Sequence, residues 1–165
     1  MKQFVTGSLI VLGVVLCSDA LFADTKEQRI KELDAYWAEV SRAVREGDFK
    51  GYRATCHPEG VLVSGVRRDS EPLSEALARW KKGIDDTKAG KIKASVELRF
   101  TQRLNSSTTA HETGIFLYSM TDADGKRIDD YIHFEALLVK KKGKWLVLME
   151  YQKSKATPKE WNALK

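Results

Sequence analysis

The stretch KIKASVELRFTQRL, Lys91–Leu104, decides the fold. Ile92, Ala94, Val96, Leu98 and Phe100 alternate with Lys93, Ser95, Glu97, Arg99 and Thr101. A period of two places the first set on one face of an extended chain and the second on the other, so the stretch reads as a half-buried antiparallel strand. Upstream the period is that of a helix. DTKEQRIKELDAYWAEVSRAVREG carries Ile30, Leu33, Trp37, Val40 and Val44 as one stripe, with Asp24 placed to cap it, Glu27 three residues on, and Gly47 to stop it. Asp48 opens a short second helix, DFKGYRATCH, with Phe49, Tyr52 and Cys56 on one side and Pro58 barring its continuation. GVLVSG follows as a short strand. SEPLSEALARWKKGIDD is a third helix, with Ser70 as cap, Pro72 in the first turn and Leu73, Leu77, Trp80 and Ile84 as its stripe.

Downstream, TAHETGIFLYSM, YIHFEALLVKK and KWLVLMEYQKS read as three more strands, turned by Asp124-Gly125 and Lys142-Gly143. Three helices followed by a four-strand antiparallel meander, with one short strand among the helices, predict an α+β fold whose helices cover one face of a curved sheet. At 165 residues and 42% hydrophobic, the chain suits one globular domain with its own core.

The first residues stand apart from that domain. Lys2 precedes an apolar run from Phe4 to Leu16, and small residues follow. This is the pattern of a secretory signal peptide over 1–23, cleaved after Ala23, with Ala20 as the alternative. The run is too short for a permanent membrane anchor, and Leu16 before Cys17 is a poor fit to a lipoprotein signal. The expected arrangement is therefore residues 24–165 as a single domain in a periplasmic or secreted protein. Cys17 would leave with the signal, and Cys56 alone cannot form an internal disulfide. The chain carries a net charge of +5, but its basic residues are scattered without interleaved aromatics, which argues against a nucleic-acid partner.

Cys56 and His57 invite a reading as nucleophile and base. At a helix end, however, neighbouring side chains diverge by about 100°, so the two would not hydrogen-bond as that chemistry requires. His133-x-Glu135, with Glu150 on the next strand, could begin a metal site, but no close histidine pair accompanies it; a hydrogen-bond network is expected, and no cofactor is implied.

The order of elements, with HPEGVLVSG, the Trp80 helix, ETGIF at 112–116, TDADGK at 121–126 and KKKGKWLVLMEYQKS at 140–154, resembles the nuclear transport factor 2-like superfamily, in particular its polyketide-cyclase-like and uncharacterised exported branches. The resemblance implies a cone-like fold, with three N-terminal helices packed into a strongly curved antiparallel sheet, often with a pocket between them. It departs from such relatives at His133 and Leu138, and at Glu150, Gln152 and Lys153, where an acid is kept but an aromatic and an amide are not.

Two-residue turns would place Ile115, Leu117, Ile132, Phe134, Ala136, Leu138, Trp145, Val147, Met149 and Tyr151 on the pocket face. The polar and aromatic groups expected to meet a ligand are then Tyr36, Tyr52, His57, Trp80, Thr113 and Tyr151, and a small apolar or amphipathic molecule is the expected partner. None of Glu112, Glu135, Glu150, Asp129 and Asp130 falls on that face, so a lyase- or isomerase-like enzyme with a pocket acid–base group is the alternative, and a protein-interaction module without ligand a third. The opposite face would expose Leu137, Val139, Leu146 and Leu148, a patch through which relatives often form a homodimer.

Overall fold

The computed structural model describes residues 25–164; the proposed signal peptide and the Asp24 cap lie outside them. Helix α1, Lys26–Glu46, is capped by Thr25, whose side chain accepts the N–H of Gln28 at 3.1 Å. It ends on Gly47 at φ 65, a left-handed angle that glycine adopts without strain, and a Cβ there would stand 2.3 Å from the backbone nitrogen of Lys88. Asp48 caps α2, Phe49–Ala54, by accepting the N–H of Gly51.

The second helix is shorter than its sequence suggested. Cys56 and His57 already belong to strand β1, Cys56–Ser64, which pairs with the short β2, Asp69–Pro72. Ser70 lies in β2 and caps nothing; α3, Leu73–Lys88, starts after Pro72 without a side-chain cap. Then come β3, Lys93–Asn105; β4, Thr109–Thr121; β5, Arg127–Lys141; β6, Lys144–Lys155; and an unforeseen last helix, α4, Pro158–Ala163.

One six-stranded sheet has the order β2-β1-β6-β5-β4-β3, antiparallel throughout except that β1 runs parallel to β6. Helices α1 to α3 sit on its concave side, which makes the α+β cone of the nuclear transport factor 2-like fold. Leu33, Tyr36 and Val40 of α1 and Leu73 and Ala76 of α3 meet Phe134, Ala136, Leu138, Trp145 and Val147 of the sheet in one core. Phe134 is its aromatic hub, with Trp37, Phe100 and Phe116 rings centred 5.8–6.1 Å away, within the range of favourable edge and tilted contacts.

Irregularities of register set which residues face the helices. The β4–β5 connection is a five-residue loop, not a two-residue turn: Thr121 pairs with Arg127, and Asp122 closes the loop by accepting the N–H groups of Asp124 and Lys126. Ile115 therefore pairs with His133, one register step from the expectation. By contrast, Lys142 and Gly143 form the expected two-residue turn, with φ of 50 and 76. A bulge then intervenes in β6: Val147 pairs with Leu138 but Met149 with Leu137, leaving Leu148 as the extra residue. A second bulge, after Phe100, makes Thr101 the extra residue of β3.

Because the side-chain period is two, each step reverses every residue beyond it. Ile115 and Leu117, expected inside, lie on the convex face beneath Trp161 of α4. Arg99 stacks on that ring at 4.1 Å and donates to the carbonyls of Trp161 and Leu164. Phe116 packs instead against the helix-side core. Met149 and Tyr151 also turn outward, pairing with Leu137 and Glu135. They join half-buried Leu137, Val139 and Leu146 on the convex face, while Leu148 occupies the bulge.

Candidate functional site

The β6 bulge brings Glu150 inside. It pairs with Ala136 on one side and Leu62 on the other, both buried in the helix-side core. Its carboxylate is half-buried and accepts one hydrogen bond, from Gln152 Nε2 at 2.7 Å. No ion pair reaches it among the described residues. Burial raises its pKa above the ordinary carboxylate range.

Three elements bring aromatic groups to the same place. Tyr36 of α1 is buried and donates to the carbonyl of Thr55 at 3.2 Å. Tyr52 of α2 meets Trp80 of α3 edge-on, with ring centroids 6.2 Å apart. Both phenols are pushed up, chiefly by burial; Glu150's negative charge adds to that rise in each, after Cys56 in the case of Tyr36. Tyr118, brought inside by the β4 register and opposite Val96, acts on Tyr52 in turn. Trp80, Val96, Leu98, Phe116 and Tyr118 stay half-buried, so the concave side is walled but not sealed.

Of the six residues proposed from sequence, Tyr36, Tyr52 and Trp80 therefore converge. Thr113 and Tyr151 do not: both face the convex side, where Thr113 Oγ1 lies 2.9 Å from Thr101 Oγ1 and both residues pair with Glu135. His57 stands apart from this cluster; its Nδ1 accepts the N–H of Glu59 at 3.1 Å. Cys56 and His57 diverge because they are adjacent on a strand, not because they end a helix. The Cys56 thiol packs against the core and is pushed up to about 12, mainly by burial, so it is no nucleophile at neutral pH.

A second inward carboxylate, Glu112, was also misplaced by the simple turn. Fully buried, it accepts from Arg103 Nε at 2.5 Å and from Trp37 Nε1, and Arg103 reaches on to Asp34. Glu112 is thus a paired structural charge and Glu150 an unpaired one. Glu135, by contrast, binds Lys153 and His111 on the convex face, and His133 binds Glu160, so His133, Glu135 and Glu150 do not form one cluster. No group of three His, Cys, Asp or Glu side chains suited to a metal exists among the described residues.

A groove of about 410 Å³ lies between α1, α2 and the β5–β6 turn, with Tyr36 in its lining. Glu32 borders it and is already engaged by Lys140 Nζ at 2.6 Å and Trp145 Nε1 at 3.0 Å.

The overall shape recurs in solved structures. A calcium/calmodulin-dependent protein kinase II association domain-like protein from Xanthomonas campestris superposes with TM-score 0.54 at 21% identity, covering 80% of this chain and 89% of that one. A ketosteroid isomerase-like protein from Erwinia carotovora atroseptica gives 0.58 at 18%, covering 79% and 98%. An NTF-2 like protein from Shewanella oneidensis gives 0.57 at 16%, covering 74% and 97%. At these identities the likeness is one of fold. A comparison with curated proteins gave no match. The sequence profile described as calcium/calmodulin dependent protein kinase II association domain matches residues 29–157, most of the chain, and the protein therefore belongs to that family within the nuclear transport factor 2-like superfamily.

Proposed function

We propose that this protein binds a small amphipathic molecule on the concave side of its sheet, with Glu150 and Gln152 as the polar anchor and Tyr52, Trp80, Phe116 and Tyr118 as the wall. The observation that carries this reading is a half-buried carboxylate with a single hydrogen bond among aromatic side chains. A group of that kind is costly to keep in an apolar surround, and a ligand that hydrogen-bonds it offsets the cost. Native mass spectrometry of protein purified without refolding tests it. A reproducible small-molecule adduct, lost in Glu150→Ala and Trp80→Ala, supports the reading; an adduct that survives both places binding elsewhere.

A second reading, acid–base catalysis of the isomerase or lyase type, is favoured by the half-buried carboxyl of Glu150, since burial raises its pKa and so makes it a better proton acceptor than a solvated carboxylate. Turnover abolished by Glu150→Gln, with binding retained, would separate it from simple binding.

The same proposal includes export through residues 1–23 and a homodimer through the uncovered convex patch of Leu137, Val139, Leu146, Met149 and Tyr151. Membership of an association-domain family supports the second point. Mass spectrometry reports both, as the mass of the processed chain and the number of subunits.

A further inference from the structure

The charge inside the cone is unbalanced, and this points to a ligand class. Glu112 is neutralised by Arg103 and hydrogen-bonded by Trp37, so that corner is closed. At the rim, Tyr118 pairs with Asp130, and Lys155 is held by Asp130 at 2.5 Å. Glu150 has only the neutral amide of Gln152. Tyr36, Tyr52 and Cys56, the groups its charge acts on, supply no positive charge, and Tyr52, Cys56 and Trp80 pack against the same core as Leu62 and Ala136, the strand neighbours of Glu150, with Trp80 edge-on to Tyr52. A site with one unpaired carboxylate, aromatic walls and no resident cation is complementary to a cation with an apolar body. An ammonium group would meet the carboxylate on one side and ring faces on the others, a combination worth most where water is excluded.

We infer that the cone selects organic ammonium ligands: an amine or methylated amine carrying an aromatic or short aliphatic body, with the nitrogen at Glu150 and the body against Tyr52 and Trp80. The inference rests on the proposed pocket and gives its ligand a charge. Neutral ligands of the same shape would still gain the apolar contacts but leave Glu150 without a counter-charge.

The test uses three probes of similar size, 2-phenylethylammonium, 2-phenylethanol and phenylacetate, titrated at pH 8 into the purified protein and followed by isothermal calorimetry and the Trp80 indole resonance. The ammonium is expected to bind at least about tenfold more tightly than the alcohol, with the carboxylate weakest. Glu150→Gln keeps the size of the side chain and is expected to remove that preference, bringing the ammonium to within about twofold of the alcohol in the same variant. Trp80→Phe, a second variant that keeps an aromatic ring, is expected to weaken the ammonium more than the alcohol. Equal or tighter binding of the alcohol or carboxylate, or a cation preference that survives Glu150→Gln, overturns the cation inference and leaves the pocket standing. No shift of Trp80 with any probe overturns both.

Discussion

The Arg103–Glu112 pair offers a quantitative check of the interior. Glu112 is 0% exposed, while Arg103 keeps 19% of its side chain in solvent and a second partner in half-exposed Asp34. Replacing Glu112 by Leu removes a charge and leaves the other buried. Such losses cost about 3–5 kcal/mol. The residual contact to Asp34 puts the expected value near the lower end, roughly 3–4 kcal/mol, which for a domain of this size lowers Tm by about 6–16 °C. Arg103→Met strands the more deeply buried partner and is expected to cost about as much. The double variant removes both charges. What remains is the indole N–H of Trp37, which loses its acceptor at about 1–3 kcal/mol. Urea unfolding of the four proteins, with equal m-values, gives the cycle. The double variant should be more stable than either single one. Additive losses, with the double variant the least stable, would refute the account of Glu112 as an ion-paired buried charge.

Further expectations concern the site and the sheet. Because burial raises the Glu150 pKa, the folded state holds that proton more tightly than the unfolded chain does, and stability falls as pH rises from about 4.5 through the folded value. Glu150→Gln should therefore gain urea stability over wild type as the pH is raised from 4 to 8; a constant difference would contradict the burial of that carboxyl. Cys56, with its thiol near 12, should resist a disulfide reagent at pH 8 until denaturant is added, and rapid labelling of the native protein would refute its burial. Gly114 lies opposite Phe100 at the β3 bulge, and a Cβ there would stand 2.1 Å from the carbonyl oxygen of Arg99. Gly114→Ala should cost roughly 1–3 kcal/mol by forcing backbone apart, and an unchanged unfolding midpoint would show that the strands separate freely.

The elements were legible where periodicity governed them. The alternation does place Val96, Leu98 and Phe100 toward the helices, and the stripe through Leu33 and Val40 does face the core. What alternation cannot register is an inserted residue. A one-step slip before β5 and a bulge at Leu148 were enough to turn Tyr151 and Thr113 outward and to bring Glu150 inward. One signal was available: Leu146 to Met149 runs apolar without alternation, which is how a strand reads when two neighbours must be accommodated at a bulge. The five-residue loop was masked because Asp124-Gly125 is itself a strong two-residue turn signal, whereas Asp122 captured the nearby N–H groups. β2 and α4 are short, and their apolar content, apart from Trp161, is too low to announce them. Tyr36, Tyr52 and Trp80 were placed on the helix side of the sheet because helical spacing is robust to such slips. Glu150 was assigned to the opposite face because its position depends on the bulge alone.

The parallel pairing of β1 with β6 has a consequence for how the chain reaches this state. Val61 meets Met149, and Leu62 meets Glu150, across most of the length of the domain, whereas β3 to β6 are joined by short connections. Closing so large a loop carries an entropy penalty that local hairpins avoid, so the meander is expected to form early and β1 to dock late. Pulse-labelled hydrogen exchange should protect β4 and β5 amides before those of β1. Glu150 lies in the strand that receives β1, next to Leu62, so the proposed site is completed only in that last step. A chain interrupted before β6 would hold its hairpins but have no seat for β1 and would lack Glu150 and Gln152, the proposed anchor.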